Sequence, residues 1–173
     1  AYYELGRALM DLKDTQQAIE AFKHLAATTK DHTYAVRSLI GQGMASRNMA
    51  DYDYALECYQ QVVSEMPGSE YAEEALLAIA SIYQTKRQPQ KYLEYLEKNN
   101  LTGTKSEAEK EKMYFNTAEQ LYLAGNYSEA ISSLQKFLDN YPDHADCLQA
   151  RFYLAESYRA NGEKEQAVDW YAK

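Results

Sequence analysis

The sequence predicts an all-α fold of stacked helix pairs, and three observations carry that reading. Only 7 glycines and 3 prolines punctuate the 173 residues, too few for the many tight turns of a sandwich or barrel. Apolar residues recur at three and four spacing, as at Leu76, Ile79, Ala80 and Tyr83, which gives one stripe on a helical period and no strand alternation. The chain also resembles itself. Ala-led segments start at 18, 55, 130 and 167, and the copy missing between them falls at 92, where Tyr92 replaces the alanine, so the period is 37 or 38 residues.

Each copy holds two helices, and the copies follow in order. In residues 1–30, Gly6 and Leu9 mark the first helix and Ala18 and Phe22 the second, with Asp14 and Gln17 at capping-box spacing between them. In 31–67 the same slots hold Gly43 and Ser46, then Ala55 and Tyr59, and Pro67 stops the second helix. Residues 68–104 supply Ala80 and Tyr83, a first-turn Pro89 after Gln88, then Tyr92 and Leu96. Residues 105–142 supply Ala118 and Leu121, a capping-box pair at Asn126 and Glu129, Ala130 and Leu134, and the stop at Pro142. Residues 143–173 supply Ala155, Tyr158, Ala167 and Tyr171. The turns are short, so neighbouring helices run antiparallel. A Gly or Ala at one point of each helix lets backbones approach, while a bulky side chain one turn away fills the gap between successive pairs.

The first helix of the first copy is shorter than its counterparts, and the last copy stops early in its second helix. The sequence therefore reads as a piece of a longer array, with an uncapped face at Trp170 and Tyr171 that frays or pairs with a second copy.

Several chemistries are excluded. With 18 basic against 26 acidic side chains the net charge is −8, which opposes a nonspecific grip on nucleic acid. Cys58 and Cys147 lack any CxxC or Cys/His ligand spacing, and His24, His32 and His144 are too scattered for a ligand pair, so no metal or cofactor is expected. The most apolar stretch, 75–83, is too short to cross a bilayer. The GQG at 41–43 lies in a helical stripe, follows no strand and lacks a Gly-Lys-Ser/Thr ending, so it reads as close packing and not as a phosphate loop. Carboxylate pairs such as Glu73 with Glu74 and Glu107 with Glu109 sit on solvated faces, and no catalytic residue is assigned. NLT at 100–102 and NYS at 126–128 match a glycosylation acceptor, a pattern common by chance. Tyrosine is the outlier, at 17 against 4 phenylalanines and 1 tryptophan. Most tyrosines read as packing, including Tyr34 and Tyr71, one period apart, and Tyr83 and Tyr158, two apart.

The stretches LGRAL, KDTQQAIEAF, LYLAGNYSEAISSLQKFLDNYP and YLAESYRANGEKEQAVDWY resemble the tetratricopeptide repeat (TPR) family over nearly the whole chain. The resemblance implies an α-α superhelix, a right-handed solenoid of five helix-turn-helix repeats with the first and last incomplete, forming one segment over 1–173. The sequence departs from the family in a period of 37 against about 34, in Ser46 and Tyr92 at slots that expect larger and smaller residues, and in lacking Pro after repeats one, three and five. The longer period and phrases such as DNYPDHADCLQARFYLAESY look similar to TPR proteins of the bacterial envelope. The compartment itself stays open; that likeness favours a periplasmic or outer-membrane-associated setting over a cytoplasmic one.

TPR resemblance implies that first helices line a concave groove that receives an extended segment or helix of a protein partner. Its groove slots carry over to Tyr3 and Arg7; Arg37, Met44 and Arg47; Glu74 and Gln84; Phe115, Glu119 and Tyr122; and Phe152, Glu156 and Arg159. The leading half is basic and the trailing half aromatic with acids, so an acidic peptide is expected near Arg7, Arg37 and Arg47, with an apolar anchor near Phe115 and Tyr122. The Lys and Asn set of the chaperone-tail carboxylate clamp is missing. The expected role is a noncatalytic scaffold binding a partner polypeptide, in assembly or coordination of an envelope complex. The alternative is a spacer or self-association module acting through its ends, including a homodimer through the C-terminal helix face.

Overall fold

The computed structural model describes residues 1–104 and 106–173, among which every regular element is helical. Among the described residues ten α-helices follow in order: α1 (Tyr2–Asp11), α2 (Thr15–Thr28), α3 (His32–Asn48), α4 (Tyr52–Glu65), α5 (Glu70–Thr85), α6 (Pro89–Lys98), α7 (Glu107–Leu123), α8 (Tyr127–Asn140), α9 (Cys147–Ala160) and α10 (Lys164–Tyr171). A 3-10 turn, Leu101–Thr104, follows α6. Lys105, the first residue of the expected fourth repeat, lies outside the described residues.

The helix ends follow local chemistry. Asp14, Asp31, Asp51 and Ser69 each accept a bond from the backbone N–H three residues on, which satisfies donors that a helix start leaves unpaired. The reciprocal box expected at Asn126 and Glu129 does not form. The Asn126 N–H already donates to the Leu121 carbonyl (2.9 Å), closing the preceding helix and leaving Glu129 nothing to receive. At Asp14, whose N–H bonds Leu9 O, the Gln17 side chain donates to the Asp14 carboxylate instead. The complete box stands at Ser106 and Glu109, which the sequence reading passed over. Helices α4 and α8 end two residues before Pro67 and Pro142, and Pro89 opens α6, as expected.

Residues 1–86 and 87–173 form two compact units. The expected third repeat, 68–104, is divided between them, α5 with the first unit and α6 with the second. In the first unit, α1 pairs with α2 and α3 with α4; α2 packs on α3, and α5 on α4 and α3. Its core gathers Ala18, Phe22, Val36, Ala45, Ala55, Tyr59, Val62, Ala75, Ile79 and Ile82. A Cβ added at Gly6 would lie 2.6 Å from the Phe22 ring, one at Gly41 2.7 Å from it, and one at Gly43 2.8 Å from the Tyr59 ring. Those glycines are where two backbones close over a ring, which is the packing role expected for 41–43. Gln42 between them is buried and accepts a bond from the Tyr54 hydroxyl (2.7 Å).

In the second unit, α6 packs on α7, α7 pairs with α8, α9 with α10, and α8 packs on α9. Phe115, Ala118, Leu121, Ala130, Leu134, Phe137, Leu154 and Tyr158 make its core, with Trp170 packed against it half-buried. Of the five small first-helix slots, Gly6, Gly43, Ala118 and Ala155 are buried and Ala80 is half-buried. The α6 helix is tied by a polar network: Lys136 Nζ donates to both Glu97 carboxylate oxygens (2.6 and 2.8 Å), the Tyr114 hydroxyl donates to the same carboxylate, and Ser133 donates to Gln90 (2.8 Å).

Candidate functional site

The first helices of each unit neighbour one another, α1 with α3 and α3 with α5 in the first unit, α7 with α9 in the second. The expected groove residues lie on those helices, and the two units treat them differently.

In the first unit, Tyr3, Arg7, Arg37, Met44 and Glu74 come together around one open pocket of about 480 Å³, joined by Met10, Asp11 and Tyr71 and floored by Phe22, Ile40 and Gly41. The floor follows from packing: Gly41 has no side chain, so the Phe22 ring lies against its backbone. The Arg37 guanidinium lies 4.3 Å from the Tyr3 ring centroid and 5.4 Å from that of Tyr34, and the Tyr3 ring meets Tyr34 edge-on. Such a cation–π contact restricts a long side chain to few rotamers. Hydrogen bonding to the Tyr3 hydroxyl pushes the Arg37 pKa above its ordinary value. Arg7 pairs loosely with Glu4 (3.5 Å), both exposed. Arg47 and Gln84 are exposed and lie outside this pocket.

The structure adds Tyr71, Met10 and Asp11 to the set. Tyr34 and Tyr71 were expected in inter-repeat packing; Tyr34, though exposed, meets Tyr3 of the preceding repeat edge-on, and Tyr71 lines the pocket. A signal for them existed: each stands three residues before a groove residue, Arg37 and Glu74, on one helix face.

In the second unit, Tyr122 stacks on Tyr153 (4.4 Å). The Tyr153 hydroxyl donates to Glu119 (3.1 Å), and Gln149 donates to both Glu119 and Tyr153. Phe152 is 52% exposed beside Tyr153. Glu156 accepts from Arg159 Nη2 (2.5 Å) and from the Tyr171 hydroxyl; these contacts hold its carboxyl below the usual range and lift the Arg159 guanidinium. Phe115 corrects the expectation. It is 6% exposed, its ring 5.3 Å from Phe137 in the core, because its position on α7 turns toward α8, so it offers a ligand almost no surface.

Other chemistry is sparse. Burial pushes the Cys58 thiol up to about 11, which keeps it protonated and inert near neutral pH. Among the described residues there is no group of three or more His, Cys, Asp or Glu able to hold a metal ion, and no helix is long and apolar enough to cross a membrane.

Models of the tetratricopeptide repeat match residues 1–32, 37–69 and 115–173. No curated protein matches the chain. Among solved structures it is similar to a crystal structure of MamA protein, at 18% identity and TM-score 0.51 over 99% of this chain and 86% of that one. A MamA RS-1 ArsTM double mutant gives 15%, 0.52, 99% and 89%, and MamA 41-end from Desulfovibrio magneticus RS-1 gives 16%, 0.50, 99% and 89%. At these identities the likeness is one of fold, a superhelical solenoid of helix pairs.

Proposed function

The chain carries tetratricopeptide repeats, which are typical of noncatalytic protein–protein interaction scaffolds, and from that premise we propose that it binds an extended segment of a partner polypeptide along its first-helix faces. The observation that supports this best is the pocket in which α1, α3 and α5 each contribute side chains, since three successive first helices converge on one concavity. The aromatic face of Tyr122, Phe152 and Tyr153 offers rigid apolar area of the kind that anchors partners, and replaces Phe115 as the expected anchor. The partner is a component of a bacterial envelope assembly, the setting to which the period and the closing phrases of the sequence point, and 1–173 acts as one segment of solenoid.

Selection from a random-sequence peptide library by the intact protein tests this. Peptides are expected to be enriched, and the triple variant Arg7→Glu, Arg37→Glu, Arg47→Glu is expected to lose them. Recovery of no peptide above background refutes groove binding.

A second reading rests on Val168 and Tyr171, 66% and 47% exposed on α10: a second copy packs on that helix face. Light scattering decides it, since a concentration-independent monomer removes the dimer.

A further inference from the structure

The pocket of the first unit says more about its ligand than that it is a peptide. The Arg37 guanidinium lies over the Tyr3 ring, 4.3 Å from its centroid, and among the described residues it makes no ion pair, although Glu74 stands one period further on at the same pocket. A guanidinium stacked on a ring and left without a carboxylate presents a planar fork that matches a carboxylate in two bonds. Beneath it the wall is apolar: Phe22, Ile40 and Met44, with the depth at Gly41 set by the missing side chain. Arg37 and Arg7, the latter already paired loosely with Glu4, share the pocket lining with two acids, Asp11 and Glu74. One negative charge is therefore welcome at Arg37, and a second meets Glu74 or Asp11.

We propose that this pocket is a selective subsite for a single Asp or Glu side chain of the bound peptide, seated on Arg37 with an apolar neighbour against Met44 and Ile40, and that it rejects consecutive acids and phosphorylated residues. The proposal rests on the peptide-binding reading above and deepens it. The pocket, at about 480 Å³, has room for a pair of side chains. A dianionic phosphate would be drawn to Arg37 but would carry its second charge toward two carboxylates that have no ion partner among the described residues.

The test extends the library selection. Enriched peptides are expected to share one Asp or Glu beside Leu, Ile, Met or Phe. In a synthetic peptide of that consensus, changing the acid to its amide should weaken binding roughly 10- to 100-fold, as loss of a charge-assisted bond implies. Placing a second acid beside the first, or phosphoserine in its place, should weaken it too. Arg37→Gln should bind the acid and amide peptides equally. Glu74→Gln, an exposed change that leaves the fold alone, should relax the penalty on the second acid, so the proposal stands or falls even if Arg37→Gln does not fold. Enrichment of peptides without an acid, or an acid-to-amide change of less than about twofold, overturns the subsite while leaving groove binding intact. Loss of binding on amidating the peptide C-terminus, with the side-chain acid dispensable, overturns it in favour of a terminal carboxylate. No enrichment at all defeats both readings.

Discussion

The α1/α2 and α3/α4 hairpins carry glycine inside their helices, at Gly6, Gly41 and Gly43, and turn through Lys13 (φ 61°) and Ala50 (φ 60°). The α7/α8 and α9/α10 hairpins carry Ala118 and Ala155 at the matching helix slots and turn through Gly125 (φ 78°) and Gly162 (φ 88°). The turn slot is left-handed in all four because the same bond closes each first helix, from Asp14, Asp51, Asn126 and Glu163 N–H to Leu9, Ser46, Leu121 and Tyr158 O. The helix slot differs because of what faces it. Phe22 and Tyr59 are fully buried rings that need a bare backbone, whereas Leu134 is small enough to sit with Ala118 in one core. Volume is traded between slots of one repeat, and backbone freedom is placed where each hairpin requires it.

The largest test of that difference is the ring itself. Phe22→Ala should lower stability by about 4 kcal/mol and Leu134→Ala by about 3, from lost burial and the cavity left behind. Hydrogen exchange resolved by peptide should show the first loss in residues 1–86 and the second in 87–173. Equal loss of protection everywhere for both variants would break the comparison by showing that the units do not respond separately.

Next in size is Gly41→Ala. Its Cβ would enter the Phe22 ring, which Gly6 also abuts, so overpacking of about 1–3 kcal/mol should outweigh a helix-propensity gain of about 1. Combining it with Phe22→Leu should recover part of the loss, and strict additivity in urea unfolding would refute the contact as its cause.

The turn slots should move less, and in opposite directions. Ala50→Gly should stabilise and Gly125→Ala destabilise, each by about 1 kcal/mol, since both backbones hold a positive φ, Ala50 is exposed, and a Cβ at Gly125 meets nothing within 4 Å. A matching sign for both in thermal unfolding would rule that out.

The polar tie of α6 gives a smaller, pH-dependent effect. Burial raises the Glu97 carboxyl, but bonds from Lys136 and Tyr114 outweigh it and leave the pKa lowered from 4.5. A depressed carboxyl stabilises the fold above its unfolded value and loses that contribution as pH falls through the folded one. Lys136→Met should therefore reduce stability by about 1 kcal/mol near neutrality, with the difference from the parent shrinking below about pH 4. A difference independent of pH would assign it to packing. Smallest of all, Arg47→Glu should weaken a selected peptide more at low salt than at high, because exposed charges act through a screened field.

The register of the fold was legible because small and large residues recur on a fixed period, and helix stops at Pro67 and Pro142 are local chemistry. The groove was legible only in part. Tyr3, Phe115 and Phe152 each stand three residues before a small slot, yet Tyr3 is half-buried, Phe115 buried and Phe152 exposed. That position lies at the edge of the apolar stripe, where the neighbour decides: Phe137 covers Phe115, while Phe152 keeps only its flank on Tyr153.

By itself the sequence determined the helix pairs, their order and the slots where backbones close, since those depend on periodicity and on the size of single side chains. Only the tertiary structure decided that Arg37 stacks on Tyr3 while Asp11 and Glu74 share its pocket, and that Asn126 forms no box. These follow from which groups meet across helices and which backbone donors are already taken, and neither is written in the spacing of residues along one helix.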